Sequence, residues 1–254
     1  MRVLAEIAPP TRPRLLGPAL AVLCAFAVLV GLGAWQLERK AWKDDLVQTM
    51  TVRLSLPPVE IPARERWRHL DAAEDEFRSV TARLAFMYDR EGLVYTAGSS
   101  LRNGRPTGPG YWVFTPALLA DGTVVVVNRG FVPEGRQDQK NYAGSQAAGI
   151  VEITGIMRWP EERIVFTPND DPKKNLWFVR DHIAIAAAKN LGEVAPFYVA
   201  QVTPAHAGGM PRTGPLSASL PNNHLQYAVT WFGLAAVLIA VFAVWARSRR
   251  RGIY

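Results

Sequence analysis

Leu15–Trp35 reads LLGPALAVLCAFAVLVGLGAW, 21 residues without a charge. At a rise of about 1.5 Å per residue, a helix of that length crosses a hydrocarbon core of about 30 Å. A second run, Leu225–Ala246 (LQYAVTWFGLAAVLIAVFAVWA), holds 22 residues and again no charge. Together they predict two transmembrane helices, residues 15–35 and 225–246, with an intervening domain of residues 36–224.

Charge orients the pair. Arg2, Arg12 and Arg14 stand against Glu6 before the first run, and Arg247, Arg249, Arg250 and Arg251 follow the second. These flanks account for six of the seven net positive charges, so the domain itself is close to neutral. A nucleic-acid-binding domain would carry the basic excess on its own surface. The positive-inside rule instead places residues 1–14 and the basic tail 247–254 in the cytoplasm and the main domain outside. The expected home is a bacterial inner membrane, with a periplasmic domain. The first run exceeds the usual core of a signal peptide and offers only Gly31-Leu32-Gly33 as small residues for cleavage, so it is read as a retained span. The single cysteine, Cys24, lies within it, leaving the domain without disulfides or thiolate metal ligands.

Beyond the first span, Leu37, Ala41, Leu46 and Met50 recur at helical spacing, so the helix continues outward until Pro57-Pro58. Trp35 and Trp42 suit an interfacial aromatic belt. Val80, Ala82, Leu84 and Phe86 share one strand face, and Val94–Ala97 returns after Asp89-Arg90-Glu91-Gly92. Tyr111–Leu119 and Thr123–Phe131 flank Asp121-Gly122, a hairpin signal. Another strand surrounds Val151, Ile153 and Gly155. Glu161–Asn175 is a polar loop, Trp177–Val179 a strand, Ile183–Asn190 a short helix capped by Asp181, and Pro196–Gln201 a last strand. Gly98–Gly110 and Thr203–Asn223 read as a loop and a linker. The fold class is thus a membrane protein whose two transmembrane helices flank an antiparallel, strand-rich α+β domain, with closure into a barrel as an option.

No constellation for catalysis is present: HExxH, GxSxG, P-loop and Cys/His clusters are all missing, so the expectation is a non-enzyme. Gly104, Gly108 and Gly110 read as a flexible turn rather than a phosphate cradle. Asp71, Glu74, Asp75 and Glu76 read as a solvated face, and Asp170-Asp171 with Lys173-Lys174 as a self-neutralising loop. Arg129 has two readings, a structural salt bridge or a grip on a carboxylate or propionate. His69, His182 and His206 sit in polar stretches that suggest exposure.

His224 differs because it opens the second span. On a helix, His224, Tyr227, Ala228 and Trp231 form one stripe. A neutral imidazole there can ligate haem iron while the aromatic residues cover a porphyrin face. The competing reading is an interfacial histidine bound to a lipid headgroup. Gln36 and Gln226 fall at similar depth and suggest an amide pair between the spans, with Gly17, Ala21 and Ala25 as a small-residue contact stripe.

Several segments carry a resemblance. Leu32-Gly33-Ala34-Trp35-Gln36-Leu37-Glu38-Arg39-Lys40-Ala41-Trp42-Lys43 resembles the first-span signature of the Surfeit locus protein 1 family. Gly110-Tyr111-Trp112-Val113-Phe114-Thr115-Pro116 and Val127-Asn128-Arg129-Gly130-Phe131-Val132-Pro133 resemble its domain. So do Phe166-Thr167-Pro168-Asn169-Asp170 and Trp177-Phe178-Val179-Arg180-Asp181. Asn222-Asn223-His224-Leu225-Gln226-Tyr227-Ala228-Val229-Thr230-Trp231-Phe232 resembles the second-span signature.

The resemblance covers nearly the whole chain and implies an assembly factor for haem-copper cytochrome c oxidase. It implies a transient haem a cofactor, with His224 as ligand to the haem iron and Tyr227 and Trp231 beside it. Subunit I of the oxidase is the implied partner and haem a synthase a further one. The alternative is a cofactor-free membrane scaffold that steadies partly assembled subunit I. Haem handover needs exchangeable ligation, and no CxxCH attachment motif is present.

Overall fold

A computed structural model of the chain describes residues 15–98, 108–213 and 222–250. The chain divides into two compact units, residues 1–48 with 219–254, and residues 49–218. The flanking residues 1–14 and 251–254, most of the Gly98–Gly110 loop and part of the Thr203–Asn223 linker lie outside the described residues. Arg2, Arg12, Arg14, Arg251 and Gly104 therefore have no structural counterpart here.

In the first unit, α1 (Leu16–Ser55) contributes all but its last turns, and α4 (His224–Arg250) is its partner. Both are long and apolar enough to cross a membrane. The shielded positions show how they meet. On α1 they include Ala19, Val22, Phe26, Leu29, Gly33, Gln36 and Lys40; on α4, His224, Ala228, Trp231, Ala235, Leu238, Phe242 and Trp245. The shielded positions recur at steps alternating between three and four residues, the spacing of a helix-to-helix seam. Most other apolar side chains, among them Leu20, Leu23, Val28, Val237 and Val241, point outward and exposed, as lipid allows.

The expected small-residue stripe is corrected. Gly17, Ala21 and Ala25 are exposed, and nothing approaches Gly17. The close approach occurs instead at Gly33, where a Cβ would lie 2.6 Å from Cε1 of Phe232. The misplacement is one of rotational phase: residues 17, 21 and 25 lie on a different face from the 19–22–26 seam. α1 does continue past the apolar run as expected, ending at Ser55 shortly before Pro57-Pro58.

The second unit holds the strands β1 (Val59–Glu60), β2 (Ser79–Phe86), β3 (Gly92–Thr96), β4 (Gly110–Leu119), β5 (Val124–Pro133), β6 (Ile150–Arg158), β7 (Leu176–Trp177) and β8 (Val194–Thr203). Short helices α2 (Ala72–Asp75) and α3 (His182–Ala188) complete it. The strands run in the order β1-β2-β6-β8-β5-β4-β3-β7, and a further β2–β4 pairing closes a five-stranded barrel of β2, β6, β8, β5 and β4. Within the barrel only β5–β8 is parallel.

The hairpin follows the sequence signal. β4 and β5 pair antiparallel, with Leu118 opposite Val124. Gly122 takes a φ of +83° in the turn, while Asp121 Oδ1 accepts from the Thr123 amide at 2.9 Å and hydroxyl at 2.6 Å. Val80, Ala82 and Leu84 enter the barrel core with Val125, Val127, Ile153, Phe197 and Val199. Val126 points the other way, into a second cluster with Phe114, Trp177, Ile185 and Tyr198. Burial of both faces explains why β5 reads as an unbroken valine run rather than an alternation.

One strand is shorter than expected. Of Trp177–Val179 only Trp177 belongs to β7, because the Phe178 amide turns to Asp170 Oδ1 at 2.9 Å. Asp181 caps α3 as its position implied, accepting from the amides of Ile183 and Ala184.

Candidate functional site

His224 begins α4 on the seam, and its Nδ1 lies 2.7 Å from Gln36 Oε1. With the Gln36 carbonyl oxygen facing Nδ1, the contact is a hydrogen bond in the tautomer that carries its proton on Nδ1, and that tautomer leaves the lone pair on Nε2. The expected amide pair is thereby corrected: Gln36 bonds His224, while Gln226 points outward and exposed. The seam turns residue 224 toward α1 and residue 226 away from it.

A second brace holds the same helix start. Asn222 Nδ2 donates to Asp44 Oδ1 at 2.7 Å, and Lys40 Nζ reaches Asp44 Oδ2 at 2.5 Å. The backbone amide of His224 approaches Asn222 Oδ1 at 3.4 Å. Of the predicted stripe, His224, Ala228 and Trp231 share the seam, whereas Tyr227 lies beside it and is 55% exposed. In that tautomer His224 would present one oriented imidazole nitrogen, a donor of the kind that could hold a haem iron.

Arg129 lies in the other unit and is wholly enclosed, at 0% exposure. Its Nη2 donates to the carbonyl and the hydroxyl of Ser145 at 2.9 and 2.8 Å. Nη1 sits 3.9 Å from Glu91 Oε2, an ion pair without a hydrogen bond. The guanidinium also lies over the rings of Tyr88 and Phe86, 4.7 and 5.4 Å from their centroids. Glu91 accepts from the Tyr142 hydroxyl. Burial raises the Glu91 carboxyl above its usual range, against the pull of Tyr142 and Arg129. A side chain so enclosed cannot grip a propionate, so the structural reading of Arg129 holds.

The model of the SURF1 family matches residues 23–236. The chain belongs to the SURF1 family. A SURF1-like protein of Monosiga brevicollis is 34% identical over 237 residues, covering 91% of this chain and 87% of that protein. Surfeit locus protein 1 of Rattus norvegicus is 33% identical, covering 87% of this chain and 72% of its own length. That of Homo sapiens is 32% identical, covering 87% and 74%.

Two histidines of this SURF1-family chain are not where their polar neighbours implied. His69 is exposed, but His182 is fully buried, its Nε2 donating to the Ala195 carbonyl at 2.9 Å. His206 is half-buried and bonds the Arg129 carbonyl at 3.0 Å. Burial pushes both imidazoles down to about 4, helped at His206 by the Arg129 charge. His182 is thereby closed to an outside ligand.

The acidic run is partly structural too. Asp71 caps α2, and Glu76 Oε1 takes Arg158 Nε at 2.9 Å. In the Asp170-Asp171 loop, Asp171 pairs with Lys174 at 3.3 Å, but Asp170 pairs with Arg163 at 2.6 Å. Among the described residues, no three His, Cys, Asp or Glu side chains converge as a metal site. Gln36 is the residue at this site whose partner the sequence reading misassigned. Its signal was a polar residue three positions after Gly33, on what proves to be the contact face.

Proposed function

We propose that the chain is an assembly factor for haem-copper cytochrome c oxidase that holds haem a at His224 and aids its insertion into subunit I. Family membership supports the assembly role, and the Gln36–His224 hydrogen bond carries the haem role. His224 would supply the ligating nitrogen through Nε2, with Trp231 on the same seam and Tyr227 flanking it. Bound haem a would supply the redox-active iron that subunit I requires. The protein's own part is to orient one neutral donor and to release its cargo, for which a single non-covalent ligand is suited. Subunit I, and haem a synthase upstream of it, are the partners this role calls for.

The same reading places the chain in a bacterial inner membrane with both termini in the cytoplasm and the barrel in the periplasm. The arginine-rich flanks support this orientation. A reporter fused after Tyr254 should then be cytoplasmic and one in the Gly98–Gly110 loop periplasmic; the reverse pattern refutes the orientation.

The haem role is tested by the absorbance spectrum of the purified full chain from hosts with and without haem a synthesis. A haem a spectrum that disappears without the synthase supports it. A haem-free protein from both hosts rejects it and leaves the second reading, a cofactor-free scaffold for subunit I. One observation favours that alternative: Ile164, Val165 and Phe166 form a turn 70%, 95% and 91% exposed, an apolar tip suited to a protein contact.

A further inference from the structure

We propose that Gln36 is a positioning residue for the haem site, locking His224 as the Nδ1–H tautomer and tuning how firmly Nε2 holds iron. The inference rests on the reading of His224 as the ligand. A solvated histidine exchanges its proton between the two ring nitrogens, and only the deprotonated one can bind metal. Gln36 Oε1, 2.7 Å from Nδ1, removes that choice. The two residues stand on opposite helices, fixed in depth by the Asp44–Asn222 bond above them and by the Gly33–Phe232 contact.

The identity of the acceptor matters as much as its position. A carboxylate at residue 36 would draw the Nδ1 proton, make the imidazole more basic and strengthen its bond to iron. An amide carbonyl orients the ring while drawing the proton only weakly. Gln36 therefore suits a ligand that must give up its haem, whereas a carboxylate partner suits permanent retention.

Three variants of the detergent-solubilised full chain separate the possibilities. Without haem, the imidazole 15N shifts of His224 should report hydrogen on Nδ1, and Gln36→Leu should mix the tautomers. On titration with iron protoporphyrin IX as probe, Gln36→Leu should weaken binding by about 10- to 100-fold. Gln36→Glu should tighten binding and move the haem midpoint potential to more negative values, a change that loss of packing would not produce. Hydrogen on Nε2 in the wild-type chain overturns the proposal, since Gln36 would then be donating to Nδ1. Wild-type affinity and potential in both Gln36 variants, with binding lost in His224→Ala, overturn the positioning role and leave the ligand in place. Wild-type binding by His224→Ala removes the ligand reading and the inference with it.

Discussion

The ring of Phe232 on α4 covers Gly33 of α1 so closely that a Cβ added there would lie 2.6 Å from Cε1. Glycine is thus favoured by a neighbouring side chain rather than by its own dihedral angles, since any Cβ would make the Phe232 ring shift, and the contact sits one turn from Gln36. Because lipid is as apolar as the helix surfaces, the pair is held by such close packing and by its polar bonds.

Gly33→Leu should therefore force the spans apart and destabilise the helix pair by about 1–3 kcal/mol, the usual cost of overpacking. Phe232→Ala in the same chain should restore part of that loss by vacating the space. Thermal denaturation of the detergent-solubilised single and double variants checks this. Additive losses in the double variant would show that the two residues do not share a contact.

Arg129 predicts a different phenotype. Removing it takes the nearest cation from the buried Glu91 and strands the Ser145 carbonyl, so Arg129→Ala should cost on the order of 3–5 kcal/mol. Arg129→Lys should rescue little, since an ammonium cannot reproduce the paired donation to Ser145 together with stacking over Tyr88. Chemical denaturation measures the loss. A variant as stable as the wild type would show that this buried network does not hold the barrel wall.

The buried His182 makes stability depend on pH. Its imidazole is held down to about 4 by burial, against an ordinary value of 6.5. Between those values the unfolded chain binds a proton that the folded chain refuses. The stability is therefore fully present above about pH 6.5 and is lost as pH falls toward 4, by roughly 3 kcal/mol for this group. His206 acts in the same direction. Melting temperatures at pH 7 and pH 5 should fall for the wild type and fall less for His182→Phe. Equal slopes for the two would contradict the assignment.

The spans, the β4–β5 hairpin and the Asp181 cap were legible because each is written in local chemistry: an uncharged run, an Asp-Gly turn, an N-cap side chain. Barrel closure was not, since the β2–β4 pairing joins Leu84 to Leu119 through no local pattern. His182 was misread for a related reason. Its neighbour Asp181 is polar because it caps a helix, while the next residue turns into the core beside Tyr198. At the candidate site, His224 could be singled out from its place at a span boundary. The partner of Gln36 could not, because two polar residues at similar depth leave helix rotation undetermined, and rotation selects His224 over Gln226.

The most direct measurement is the reduced-minus-oxidised absorbance spectrum of membranes from a strain lacking the chain, complemented by wild type or by His224→Ala at equal abundance. Deletion should lower the haem a band of cytochrome c oxidase and leave the cytochrome bc complex near normal. Wild type should restore the band, and His224→Ala should restore it poorly. A haem a band unchanged by deletion would contradict the account.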